Sequence, residues 1–124
     1  MKKILILDDE LELRQSLAAT LEMALPVECV QRARKDDCHQ DESRLNEFHV
    51  AVLDINLGHG LPTGLDAYFW LRLCGYQGRC IFITGHALEH PLAQEAARLP
   101  GVEIFEKPVE VRRLIGIIKE ALGD

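Results

Sequence analysis

No run of apolar residues in this 124-residue chain exceeds five, Ala67 to Leu71, so no segment is long enough to cross a bilayer as a helix. At the N-terminus, Ile4 to Leu7 meets acids after four residues, too few for a signal-peptide core, and a cytoplasmic location is expected. Positive charge is scarce as well. Fourteen Lys and Arg stand against twenty Asp and Glu, a formal net charge of −6, which disfavours binding nucleic acid through its phosphates. The four cysteines, at 29, 38, 74 and 80, make no CxxC and no zinc-type spacing, so reduced thiols are expected. Cys38-His39 lacks the further placed ligands a metal needs. No glycine-rich turn follows the first apolar run, which speaks against a cradle for a nucleotide phosphate.

What remains is ordinary globular composition, 48% apolar and 27% charged, at a length expected to make one domain over residues 1–124 with no output domain. The chain reads as strands alternating with helices. Lys3 to Leu7, Val27 to Val30, His49 to Asp54, Cys80 to Thr84 and Val102 to Phe105 are short apolar runs, the pattern of strands buried on both faces. Leu13, Leu17, Leu21 and Ala24 mark one face of a first helix, with Asp8 or Asp9 as its expected cap and Pro26 as its stop. The stretch from about 36 to 47 has few apolar residues and is read as a helix because the alternation demands one. Leu65 to Cys74, Pro91 to Leu99 and the series Val111, Leu114, Ile115, Ile118 and Leu122 complete the helices. The expected fold is α/β, a five-stranded parallel sheet with helices on both faces.

In such a sheet, ligands bind at the carboxyl ends of the strands. The first strand ends in Asp8-Asp9-Glu10, the third in Asp54, the fourth in Thr84-Gly85, and Lys107-Pro108 follows the fifth. Carboxylates held together repel one another and call for a cation, and oxygen ligands select a hard one, Mg²⁺ or Mn²⁺. An Asp at the end of a central strand is also a competent nucleophile for phosphorus. Thr84 could hydrogen-bond a phosphoryl oxygen and Lys107 could pair with another.

Taken in this order and at these intervals, Asp8-Asp9, Asp54, Thr84-Gly85-His86 and Lys107-Pro108 resemble the receiver domain of two-component response regulators over essentially the whole chain. The resemblance implies a flavodoxin-like (βα)5 fold with strand order 2-1-3-4-5. It implies that Asp54 is the phosphoacceptor and that Asp8, Asp9, Asp54 and the backbone carbonyl of Asn56 hold Mg²⁺. Thr84 would be the hydroxyl that moves to the phosphoryl group, Lys107 its salt-bridge partner, and the peptide before Pro108 cis. His86 stands where the family tunes hydrolysis. The implied donor is a phosphohistidine on a histidine kinase or histidine phosphotransfer protein, with small donors such as acetyl phosphate also used. A second copy of the chain or a downstream protein is the implied further partner; neither nucleic acid nor membrane is.

Two departures from the family pattern stand out. The loop after Asp54 is about two residues longer than usual, with Gly58 in place of a proline and Pro62 further on. The family's switch aromatic falls at Ile104, and Phe105, one residue later, should face the other way. Trp70 is a candidate partner surface, and Ile104 with Ile117 a weaker one. Two other classes fit parts of the set: a receiver that binds partners without phosphorylation, and a metal-dependent phosphohydrolase working through an aspartyl phosphate.

Overall fold

The computed structural model describes residues 1–58 and 60–123; His59 and Asp124 lie outside the described residues. Strands β1 (Lys2–Leu7), β2 (Val27–Arg32), β3 (Phe48–Asp54), β4 (Arg79–Thr84) and β5 (Glu103–Glu106) alternate with helices α1 (Leu11–Ala24), α2 (Gly64–Leu73), α3 (Pro91–Ala97) and α4 (Val111–Ala121) and a 3₁₀ segment, Lys35–Glu47. The strands form one parallel sheet in the order β2-β1-β3-β4-β5, the flavodoxin-like order expected.

Side chains alternate across a strand, so each apolar run feeds two cores. Ile4, Ile6, Val50, Val52, Ile81 and Ile83 pack beneath α1 and α4, against Ala18, Leu21, Leu114 and Ile118. Leu5, Leu7, Ala51, Leu53, Cys80 and Phe82 face the other way, against the 3₁₀ segment, α2 and α3. This is why the central strands read as unbroken apolar stretches.

Helix α1 differs from its expected form. Its N-cap is Glu10, and neither Asp8 nor Asp9 caps it. Asp8 Oδ1 accepts the Glu10 N–H at 2.9 Å in the turn before the helix. The buried side chains are Ala18 and Leu21, while Leu13 and Ala24 are exposed. Leu13 instead lines a mostly apolar cavity of about 240 Å³ with Leu17, Thr20, Ile83 and Val109, bordered by Asp8 and Lys107.

The helix expected at 36–47 is wound as 3₁₀ and kinks at Arg44, where φ is −128°. The reason lies outside the segment. Asp41 is fully buried and takes a bidentate pair from Arg32 on β2, Nε to Oδ2 at 2.9 Å and Nη2 to Oδ1 at 3.0 Å. Only Cys38, Asp41 and Leu45 are buried along it, so packing on the ion pair decides its winding in place of a continuous apolar stripe.

Helix α2 buries one face. Leu65, Ala67, Tyr68 and Leu71 are buried, whereas Phe69 and Leu73 are exposed. Trp70 is half-buried, its ring 4.6 Å from that of His39 and under the Lys35 ammonium. The Trp70 ring is thus partly covered by the chain itself, while Phe69 and Leu73 on the same helix stay exposed. Ile104 and Ile117 pack with opposite cores and form no common patch. Burial pushes the Cys29 and Cys38 thiols up to about 12 and that of Cys80 to about 11, which keeps them protonated; Cys74 is exposed. Among the described residues, no helix is long and apolar enough to cross a membrane.

Candidate functional site

Three strand ends build the site. The β1 ladder continues one residue past the strand, with Asp8 N–H donating to the Arg32 carbonyl at 3.0 Å, and Arg14 clamps the Asp8 carbonyl at 2.9 Å. Asp8 is buried; Asp9 and Glu10, on the turn into α1, are exposed. β3 ends at Asp54, which is 2% exposed. Its Oδ1 accepts the Asn56 N–H at 3.2 Å and its Oδ2 accepts from Lys107 Nζ at 3.0 Å. Lys107 is held by its own N–H, which donates to the Thr84 carbonyl at 2.8 Å, and the peptide that follows it, Lys107–Pro108, is cis.

One ammonium thus serves several acids. Lys107 Nζ lies 2.8 Å from Glu10 Oε1, 3.0 Å from Asp54 Oδ2 and 3.4 Å from Asp8 Oδ2. Asp8, Asp9, Glu10 and Asp54 each present a ligand oxygen, all within 4.8 Å of one another. An open cavity of about 290 Å³ is lined by Asp9, Glu10 and Asp54 together with Asn56, Gly58, Gly85 and Lys107.

The electrostatics follow from this crowding. Burial first, and the Asp8 carboxylate second, push the Asp54 carboxyl up from 3.8 to about 7, against the opposing pull of Lys107. Burial alone would lower Lys107, but its hydrogen bonds to Glu10 and Asp54 outweigh that and hold it above the ordinary lysine value. Four carboxylates against one ammonium leave negative charge uncompensated. An all-oxygen donor set with excess negative charge fits a hard divalent cation, and the cluster is a candidate metal site.

Of the other expected residues, Asn56 and Gly85 line the cavity, whereas the Thr84, Ile104 and Phe105 side chains do not. Asn56 is exposed on the cavity wall, and its Oδ1 accepts the Gly58 N–H at 3.3 Å. Gly58 has φ +122°, a conformation closed to the proline usual at this place, so the departure seen in the sequence reshapes the loop. Gly64, where α2 begins, donates its N–H to the Ile55 carbonyl at 2.9 Å and brings the helix against the end of β3. A capping box between Thr63 and Asp66 fixes that start. Thr84 is fully buried, and its Oγ1 accepts the His86 N–H at 3.0 Å. Phe105 does face away from Ile104. It is 3% exposed beneath α4, with the Arg113 guanidinium 4.5 Å above its ring. Ile104 is half-buried on the opposite side, paired in register with Phe82.

Two residues gain roles that the sequence reading did not give them. Glu10 stands in the acidic triplet, but only the fold shows its carboxylate on Lys107 and beside the other three. Its adjacency to Asp8-Asp9 was the available sign. His90 stacks on His86, ring centroids 3.9 Å apart and planes 11° from parallel, and no pattern in the sequence points to that contact.

The profile of the response regulator receiver domain matches residues 4–119. The chain is 33% identical over 124 residues to the C4-dicarboxylate transport transcriptional regulatory protein DctD of Pseudomonas aeruginosa, covering 97% of this chain and 25% of that protein. It is 28% identical over 123 residues to the tetrathionate response regulatory protein TtrR of Salmonella typhimurium, covering 98% of this chain and 57% of that one. The chain therefore spans well under two-thirds of either curated relative. Among solved structures, a CheY-like response regulator receiver domain protein from Methanospirillum hungatei is similar, with a TM-score of 0.78 at 27% identity, covering 99% of this chain and 94% of that one. On this match, and with the fold and acidic pocket that accompany it, the chain belongs to the response regulator receiver domain family.

Proposed function

We propose that the chain accepts a phosphoryl group on Asp54 from a phosphohistidine donor and passes the change to a protein partner. The observation that carries this reading is the contact of Lys107 Nζ with Asp54 Oδ2 at 3.0 Å inside a cluster of carboxylates at the sheet edge. An Asp54 oxygen attacks phosphorus as the phosphorus–nitrogen bond of the donor breaks, and the imidazole leaves with the electron pair and takes up a proton. The product is an acyl phosphate, which water returns to carboxylate and inorganic phosphate. Lys107 pairs with a phosphoryl oxygen and the Thr84 hydroxyl donates to another. Positioning and charge neutralisation supply most of what such a transfer needs.

Asp8, Asp9, Glu10 and Asp54 would hold Mg²⁺ or Mn²⁺, with the Asn56 carbonyl as a further oxygen. The ion's contribution is to neutralise the carboxylates and the incoming phosphoryl oxygens. The donor is a histidine kinase or a histidine phosphotransfer protein, and the proposed setting is the cytoplasm. The opposite placement of Ile104 and Phe105 supports an output that does not run through an aromatic at position 104.

Intact mass after incubation with acetyl phosphate tests the reading. The expected result is one phosphoryl adduct that needs Mg²⁺, is absent in EDTA and is absent in Asp54→Asn. A folded protein that takes no adduct, from acetyl phosphate or from a phosphohistidine donor, would overturn it in favour of an interaction module that works without phosphorylation.

A further inference from the structure

The segment between β4 and α3 begins at Thr84 and ends at His90, and a pair of imidazoles closes it. His90 is the N-cap of α3. Its Nδ1 accepts the Leu92 N–H at 3.2 Å, its own N–H donates to the Ala87 carbonyl at 2.9 Å, and its carbonyl accepts the Gln94 N–H at 3.0 Å. Pro91, the first residue of α3, is suited to that place by its fixed φ. The His90 ring is thereby tied to the helix and to the loop at once. His86 is seated on it, with ring centroids 3.9 Å apart and planes 11° from parallel, and its N–H donates to Thr84 Oγ1 at 3.0 Å. Gly85, between them, is exposed, and nothing lies within 4 Å of where its side chain would be. Packing on Gly85 therefore does not hold the loop in place.

We infer that His90 is a positioning residue for the Thr84 hydroxyl, acting through the His86 ring and the His86 N–H. This rests on the reading of Asp54 as phosphoacceptor and adds a residue to it. The Thr84 oxygen uses one lone pair on the His86 N–H and keeps its hydrogen to donate. A phosphoryl oxygen is an acceptor, so a hydroxyl whose hydrogen is left free to donate is in the useful state. The stack presets it before the phosphoryl group arrives, and the ring of His90, more than its cap, is what matters to Thr84.

Two variants separate the ring from the cap. His90→Asn keeps an N-cap acceptor and removes the ring; His90→Phe keeps a ring and removes the acceptor. The phosphoryl adduct on His90→Asn should decay about fivefold faster than on the parent, the factor one net hydrogen bond is worth, with melting temperature unchanged. On His90→Phe the decay should match the parent although the melting temperature falls. Decay that follows the cap, or that is the same in all three proteins, would overturn the inference.

A second measurement needs no phosphorylation and so separates this inference from the reading it rests on. Amide exchange at His86 should be protected in the parent and in His90→Phe and about fivefold faster in His90→Asn. Equal protection in all three overturns the positioning role even if Asp54 is phosphorylated normally. If the parent takes no phosphoryl group, the exchange result alone decides the structural claim, while the function of Asp54 falls separately.

Discussion

Gly64 lies against the backbone of Asp54 so closely that a Cβ on it would sit 2.2 Å from the Asp54 carbonyl oxygen and 3.0 Å from the Ile55 Cα. The first residue of α2 and the last of β3 are in contact through main chain alone, and neither side of that contact can rotate away. Gly64→Ala should therefore push α2 off the strand end that carries Asp54, with a loss of about 2–3 kcal/mol, the usual cost of overpacking a tight site. Urea unfolding measures the loss, and the rate of phosphoryl uptake should fall with it. Gly116, inside α4 and with nothing near its missing side chain, is the contrast: Gly116→Ala should stabilise by up to about 1 kcal/mol.

The raised carboxyl of Asp54 makes stability depend on pH when no divalent ion is bound. Its folded-state value is about 7 against an ordinary 3.8, so the folded protein holds a proton that the unfolded chain gives up. The stability this contributes is fully present below about pH 4 and is lost as pH rises through 7. Asp54→Asn carries no such titration. In EDTA the variant should gain on the parent as pH rises from 4 to 8, by a few kcal/mol and about 4 at most. Thermal melts of both proteins across that range check it, and added Mg²⁺ should bring the two curves together at high pH. Parallel curves in EDTA would mean that Asp54 is ionised in the folded protein throughout.

The buried carboxylate of Asp41 should be among the costliest polar groups to remove. Asp41→Ala leaves the Arg32 guanidinium, 19% exposed, without its bidentate partner, and about 3 kcal/mol of stability should go. Arg44, half-exposed and 3.2 Å from the same carboxylate, should matter far less, with Arg44→Ala costing under about 1 kcal/mol. Chemical unfolding of the two variants side by side gives the comparison. The circular dichroism of the Asp41 variant should also lose 3₁₀ signal.

The strands were readable because the middles of β1, β3 and β4 are buried on both faces and hold apolar residues only. The site was readable for a related reason: a parallel sheet sends its strand ends to one edge, so Asp8, Asp54, Thr84 and Lys107 had to meet there. The orientation of Phe105 followed from alternation along a strand. What stayed hidden depends on contacts between distant positions. The 3₁₀ winding depends on an arginine on β2, nine residues before Asp41. Leu13 reads as a core position by spacing, yet the cavity beside Lys107 leaves it open. The stack of His90 on His86 comes from a loop that folds back on itself, and side-chain periodicity carries no trace of that.

The 3₁₀ segment is held to the rest of the molecule mainly by side chains other than apolar ones. Apolar burial along it is limited to Cys38 and Leu45; the rest of its grip is polar or aromatic, namely the Asp41 pair, the Trp70 ring on His39, Lys3 on Glu47, and Asn46, which donates to the Gly75 carbonyl and accepts the Gln77 N–H. Strands β1, β3 and β4 share a continuous core, whereas this wall is fastened at a few points. With two apolar anchors against the core that holds Leu5 and Leu7, it is expected to open before the strands do. Protease susceptibility and early amide exchange should concentrate between residues 35 and 47, ahead of β3 and the Asp54 at its end.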